Sequence, residues 1–188
     1  MQSSRPTFVF RGICVKKILV LLVLCCFCAC SVGPSPEELL QKTQERLAQG
    51  CEFSLELRGE SEASATLRWS AEEQELRFTA PDAVEGLCYL RDGGGLTVTF
   101  EGISSKISEA ALPQGAAVRE LYEAIDAFLI ADAENVDARQ EADGLLRVST
   151  RNNQRTLSAA VWVDVESCLP IAVETEHWAV ALALHNAL

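Results

Sequence analysis

The chain has 188 residues, with 16 Lys and Arg against 27 Asp and Glu and a formal charge of −11. That length suits one domain and hardly two. An acidic surface repels phosphate, which argues against nucleic acid as a partner.

The first 29 residues differ from the rest. They hold Arg5, Arg11, Lys16 and Lys17 and no acidic residue, and then an apolar run of ten residues from Ile18 to Phe27. A basic start before a short apolar run is the pattern of a secretory signal peptide. A membrane-spanning helix needs about 20 apolar residues, and this run gives way to Gly33–Pro34 and polar sequence. The expectation is therefore export, with a signal peptide over 1–29.

Phe27-Cys28-Ala29-Cys30 resembles the lipobox of bacterial lipoproteins, in which a small residue precedes a cysteine that is diacylated and becomes the new N-terminus. Ala29, Cys30 and Ser31 fit that motif, while Phe27 and Cys28 stand where other residues are usual. The resemblance implies lipidation of Cys30, a tether over 30–35, and attachment to the extracytoplasmic face of the cell membrane. Of the 16 basic residues, four precede Cys30; the remaining 12 against 27 acidic residues give the mature domain a formal −15. One acyl chain holds a protein to a membrane only marginally without a basic patch or a second chain. With no basic patch here, two or more chains must supply the anchor.

A helix is expected over about 36–49. Ser35 and Glu38 form an S-x-x-E capping box, Pro36 suits the first helical position, and Gly50 ends the helix. Leu40, Thr43 and Leu47 form its apolar stripe, with Leu39 beside it. From Cys51 the period changes to two. Cys51, Phe53, Leu55 and Leu57 alternate with polar residues to Arg58, the mark of a strand with one wet face. Ala65, Leu67 and Trp69 repeat the pattern, and Leu76 and Phe78 repeat it again. Leu87–Leu90 reads as a short strand, Asp92–Gly95 as a hairpin turn, and Leu96, Val98 and Phe100 as the next strand.

The alternation breaks over 103–115. A second helix follows, with Val118, Leu121, Tyr122, Ile125, Phe128 and Leu129 on a wide apolar stripe. Arg119, Glu120, Glu123 and Asp126 are expected on its polar face. Strands resume after Asp143–Gly144, turn at Arg151-Asn152-Asn153-Gln154, and continue through Leu157–Val165, Ile171–Thr175 and Val180–Leu184. The fold class is α+β: a curved antiparallel sheet of about eight or more strands, an open half-barrel, wrapping one or two helices.

This order behind a lipobox resembles the lipoprotein carriers LolA and LolB. The local likenesses are Phe78-Thr79-Ala80-Pro81, Gly86-Leu87-Cys88-Tyr89-Leu90 with the glycine turn and Leu96–Phe100, and Cys168-Leu169-Pro170-Ile171-Ala172-Val173-Glu174. The resemblance covers residues 36–188. It implies a half-barrel around helices with an apolar cavity. It also implies a non-enzymatic role: accepting lipoproteins, binding lipid, or assisting a cell-wall enzyme as germination and sporulation lipoproteins do. A lipidated Cys30 disfavours a freely shuttling carrier.

No catalytic or cofactor motif is present: neither G-x-S-x-G nor H-E-x-x-H, and no phosphate-binding glycine loop. No metal site is expected. Cys51, Cys88 and Cys168 remain after Cys30, an odd number that allows one disulfide with a spare thiol, three free thiols, or an intermolecular bridge. His177 lies between Glu176 and Trp178 and reads as an ordinary strand residue. Phe53, Leu55, Trp69, Phe78, Phe100, Leu121, Ile125 and Phe128 fall on inner faces. They are either the wall of a cavity for a lipid or apolar segment, or ordinary core. Trp162 lies opposite Val161 and Val163. It marks an interface for an envelope protein unless a helix covers it.

Overall fold

The computed structural model describes residues 34–132, 136–141, 143–151 and 158–187. The expected signal peptide, Cys30 and most of the tether lie outside the described residues, as do residues 152–154 of the expected turn. None of the helices among the described residues is long and apolar enough to cross a membrane.

Helix α1 spans Pro36–Ala48. Ser35 Oγ accepts from the Glu38 amide at 3.2 Å, and Glu38 Oε2 accepts from the Ser35 amide at 3.3 Å, so the capping box satisfies two donors that the helix leaves open. Leu39, Leu40, Thr43 and Leu47 are buried, as the stripe predicts. Thr43 gives its hydroxyl proton to the Leu39 carbonyl at 2.8 Å, which lets a polar side chain sit inside.

Eleven strands follow: β1 Cys51–Arg58, β2 Glu62–Trp69, β3 Glu73–Ala80, β4 Cys88–Asp92, β5 Gly95–Phe100 and β6 Ile103–Ile107 before the second helix, then β7 Asp137–Gln140, β8 Leu145–Arg151, β9 Ser158–Asp164, β10 Leu169–Glu174 and β11 Ala179–Ala187. Strands β6 and β7 are mostly exposed and carry no alternation of apolar and polar residues. All eleven form one antiparallel sheet in the order β6-β5-β4-β3-β2-β1-β11-β10-β9-β8-β7. The chain meanders out from β1 to one edge and re-enters at the opposite edge. It then meanders back until β11 pairs with β1.

That route requires a crossing between the two edges. Helix α2, Ala117–Leu129, belongs to this crossing, preceded by a 3-10 turn at Glu109–Ala111. It lies against β8 and β9, while α1 lies against β7, β8 and β10. The sheet remains open and curves around both helices as a half-barrel. Its core includes Phe53, Leu55, Leu67, Trp69 and Leu76 from the first meander, Val148, Val161 and Val173 from the second, and Leu121 and Phe128 from α2. Burial of such a side chain contributes about 1.5–3 kcal/mol, so the ring of apolar strand faces closing on two helices is the main source of stability.

Candidate functional site

Six of the eight expected inner residues meet in this core. Phe53, Leu55, Trp69, Leu121, Ile125 and Phe128 are each at most 7% exposed. Five side chains of this region, Phe53, Leu67, Trp69, Ile125 and Phe128, border a void of only about 10 Å³. A cavity needs about 10–15 Å³ of such space to hold a single water. In this conformation these residues form packed interior, and an acyl chain could enter only if they parted.

Phe78 and Phe100 are placed differently. Phe78 packs at the margin of the core, edge-to-face with Tyr89 at a ring separation of 6.3 Å. Phe100 is half-buried at the end of β5, outside the core cluster. Its cross-strand partner, Ile103, is 75% exposed. Alternation from Leu96, which is fully buried, puts Val98 and Phe100 on the helix-bearing face, with their partners Ser105 and Ile103. This end of the inner face therefore presents apolar side chains beyond the packed core.

An open cleft of about 510 Å³ lies beside the core, bordered by Gln44, Trp69, Ser70, Gln74, Asp126 and Leu129. Trp69 borders both this cleft and the inner void. Behind the cleft stands Arg91, the residue that sequence reasoning missed. Its guanidinium lies 4.7 Å from the Tyr122 ring centre and 5.5 Å from that of Trp69. It donates in bidentate fashion to Asp126 at 2.7 and 2.6 Å, and its Nε donates to Gln74 Oε1 at 2.6 Å. A cation on the inner side of a strand is tolerated because two aromatic faces and a carboxylate replace its water. Tyr122 reaches the Tyr89 carbonyl with its hydroxyl at 3.2 Å, and burial pushes that phenol upward. The sequence did carry a signal: Leu87, Tyr89 and Arg91 alternate, so Arg91 shares a face with two apolar residues.

Glu120 corrects the expected polar face of α2. It is 5% exposed. Its Oε2 accepts from Thr175 Oγ1 and its Oε1 meets His177 Nδ1, both at 2.5 Å. His177 is likewise no strand residue; it sits in the turn between β10 and β11. The hydrogen bond and charge of Glu120 hold its imidazole above the usual histidine range. A shallow polar cleft of about 250 Å³ opens beside this pair, with Arg119, Glu123 and Glu176 on its walls.

On the opposite face of the sheet, Trp162 is half-buried between its neighbours Arg147 and Ala172. The Arg147 guanidinium lies 5.5 Å over its ring. Its indole Nε1 is buried and has no hydrogen-bond partner among the described residues. Cys51, Cys88 and Cys168 are free thiols, and burial pushes those of Cys51 and Cys88 upward. No group of three or more His, Cys, Asp or Glu side chains among the described residues is placed to hold a metal ion.

No protein-family model and no curated protein matches the sequence. Among solved structures, the chain is similar to an uncharacterized conserved protein from Thermus thermophilus, with a TM-score of 0.53 and 11% identity over 82% of this chain and 88% of that one. It is also similar to a LolA superfamily protein from Nitrosomonas europaea (TM-score 0.43, 11% identity, 82% and 93% covered). A third similarity is to the CwlD amidase–GerS lipoprotein complex of Clostridioides difficile (TM-score 0.40, 16% identity, 75% and 85% covered). The similarity to the first of these is one of fold: one open antiparallel sheet of 11 strands curved around two helices.

Proposed function

We propose that the chain is a non-enzymatic protein of the cell envelope, tethered to the membrane through a lipidated Cys30. It binds an apolar segment of a partner protein at the uncovered end of its inner sheet face. The carrying observation is the contrast within that face. The part under the helices is filled to a void of about 10 Å³, while Ile103 is 75% exposed and Phe78, Tyr89 and Phe100 are half-buried. Apolar side chains gathered on one rim favour contact with another apolar surface.

Site-specific photo-crosslinking in the native envelope tests this reading. A crosslinker at position 103 of the full chain should give a protein adduct, whereas one at the exposed Glu85 should not. A lipid adduct at 103 would assign the rim to lipid instead, and absence of any adduct above the Glu85 control would sink both. The anchor is tested separately by metabolic labelling with an alkyne fatty acid. Label should be lost in Cys30→Ala; a labelled, membrane-bound variant would refute lipidation at residue 30.

A second reading has its own observation. Trp162 is half-buried on the opposite face of the sheet, with the Arg147 guanidinium 5.5 Å over its ring. A partner carboxylate would pair with the Arg147 guanidinium over the Trp162 ring, in the manner of an aromatic and arginine hot spot. A crosslinker at position 162 would then capture a protein that the one at 103 does not.

A further inference from the structure

The first turn of α2 has no side-chain cap of its own, because Ala116 stands at the capping position. It is held instead by the turn between β10 and β11. Thr175 Oγ1 and His177 Nδ1 both close on Glu120, and Trp178 Nε1 donates to the Gly115 carbonyl at 2.7 Å. The close fit needs glycine at two places. A Cβ on Gly59 would lie 2.8 Å from the Trp178 ring, and Gly115 has φ +80 with the His177 ring directly above it.

The charge around this contact is unbalanced. From α2, His177 is faced by Glu120, Arg119 and Glu123, from its own turn by Glu176, and from the β1–β2 turn by Glu60. Arg119 is already engaged, donating to Glu123 at 2.8 Å and to the Leu112 carbonyl at 3.0 Å. The imidazolium is then the cation that answers the buried Glu120 carboxylate. Uncompensated, such a carboxylate is costly to keep out of water.

We infer that Glu120 and His177 form a proton-controlled clasp: protonated His177 fastens the first turn of α2 to the β10–β11 turn, and loss of the proton loosens it. The turn so loosened begins the helix whose Ile125 and Phe128 border the inner void. The sign follows from linkage. His177 titrates above its ordinary 6.5 in the folded protein, so its contribution is fully present below that value and is lost as pH rises through the folded value. Thr175 still donates to Glu120 and Trp178 to the Gly115 carbonyl, so the turn loosens and does not detach.

Hydrogen exchange of the full chain at about pH 5.5 and 8.5, corrected for intrinsic rates, reads this directly. In the wild type, opening at the amides of residues 120–122 should rise up to about five-fold at the higher pH, the order of a half-exposed ion pair, while α1 stays unchanged. His177→Gln should show the loosened level at both pH values. Glu120→Gln, which keeps the histidine, should also lose the pH dependence. A pH-independent wild type would overturn the clasp whatever the variants do, and so would a His177→Gln variant that keeps the wild-type profile.

Discussion

The two helices of this half-barrel are both 13 residues long, and they are held at their starts in opposite ways. Helix α1 carries its own instructions: a capping box from Ser35 and Glu38, Pro36 at the first position, and Arg46 in the last turn. Helix α2 has none of these at its start, and its first turn is fastened by residues 55 and 57 positions further along the chain. In exchange, α2 buries the larger side chains, Leu121, Tyr122, Ile125 and Phe128 among them. A helix in the hollow of a curved sheet is stabilised by what surrounds it, and a helix with good local signals needs less of that. The contrast also separates what can change from what is fixed. The ends of α1 are set by its own sequence, while the start of α2 answers to the state of a distant histidine.

The largest effect should come from the packing that α2 depends on. Phe128 is fully buried. Phe128→Ala should lower unfolding free energy by about 3–5 kcal/mol in urea titrations, because the void beside it enlarges and the surroundings relax only in part. A loss below about 1 kcal/mol would mean that the helix does not seal the half-barrel.

Next comes the fastening of α2. Glu120→Ala removes two hydrogen bonds to a nearly buried carboxylate. The expected cost is about 2–3 kcal/mol in the same assay, with the first turn of α2 losing exchange protection before α1 does. Equal loss of protection in the two helices would break the comparison. A smaller effect is expected for Asp126→Asn, which weakens the bidentate pair with Arg91. Asp126 is 47% exposed, so solvent screening limits the cost to about 1 kcal/mol. The neutral amide leaves the Arg91 cation between Trp69 and Tyr122 with only the more distant Glu109 carboxylate, 3.9 Å away, and Trp69 emission should shift as the cleft beside it wets.

The elements legible in the sequence are those whose code is local. Strand β1 follows its alternation residue by residue, with Cys51, Phe53, Leu55 and Leu57 inside, and α1 begins at the residue its capping box names. Strand β6 was not legible because Ser104, Ser105 and Lys106 give no alternation, and an edge strand has a partner on one side only. The same holds for β7, whose Asp-Ala-Arg-Gln is mostly exposed at the other edge. At the site, the inner residues were readable from period alone as far as Phe128, but period does not tell packed core from cavity. Glu120 was unreadable for another reason. Its place beside Val118 and Leu121 suits a solvated helix flank, and its burial is imposed by the β10–β11 turn.

The smallest expected effect tests the self-sufficiency of α1. Ser35→Ala removes the hydroxyl that accepts from the Glu38 amide at 3.2 Å, at a position that is only half-buried. A cap of this kind contributes about 0.5–2 kcal/mol, and the peptide end of that range suits an exposed helix start. The loss should therefore be about 0.5–1 kcal/mol, and Ser35→Asp should restore it, since a carboxylate accepts the same bond and suits the positive end of the helix. Hydrogen exchange should place the change in the first turn of α1 alone, with the clasped start of α2 untouched at either pH. If capping loss in α1 also loosened α2, the two helices would be one cooperative unit. The independence of their starts would then be refuted.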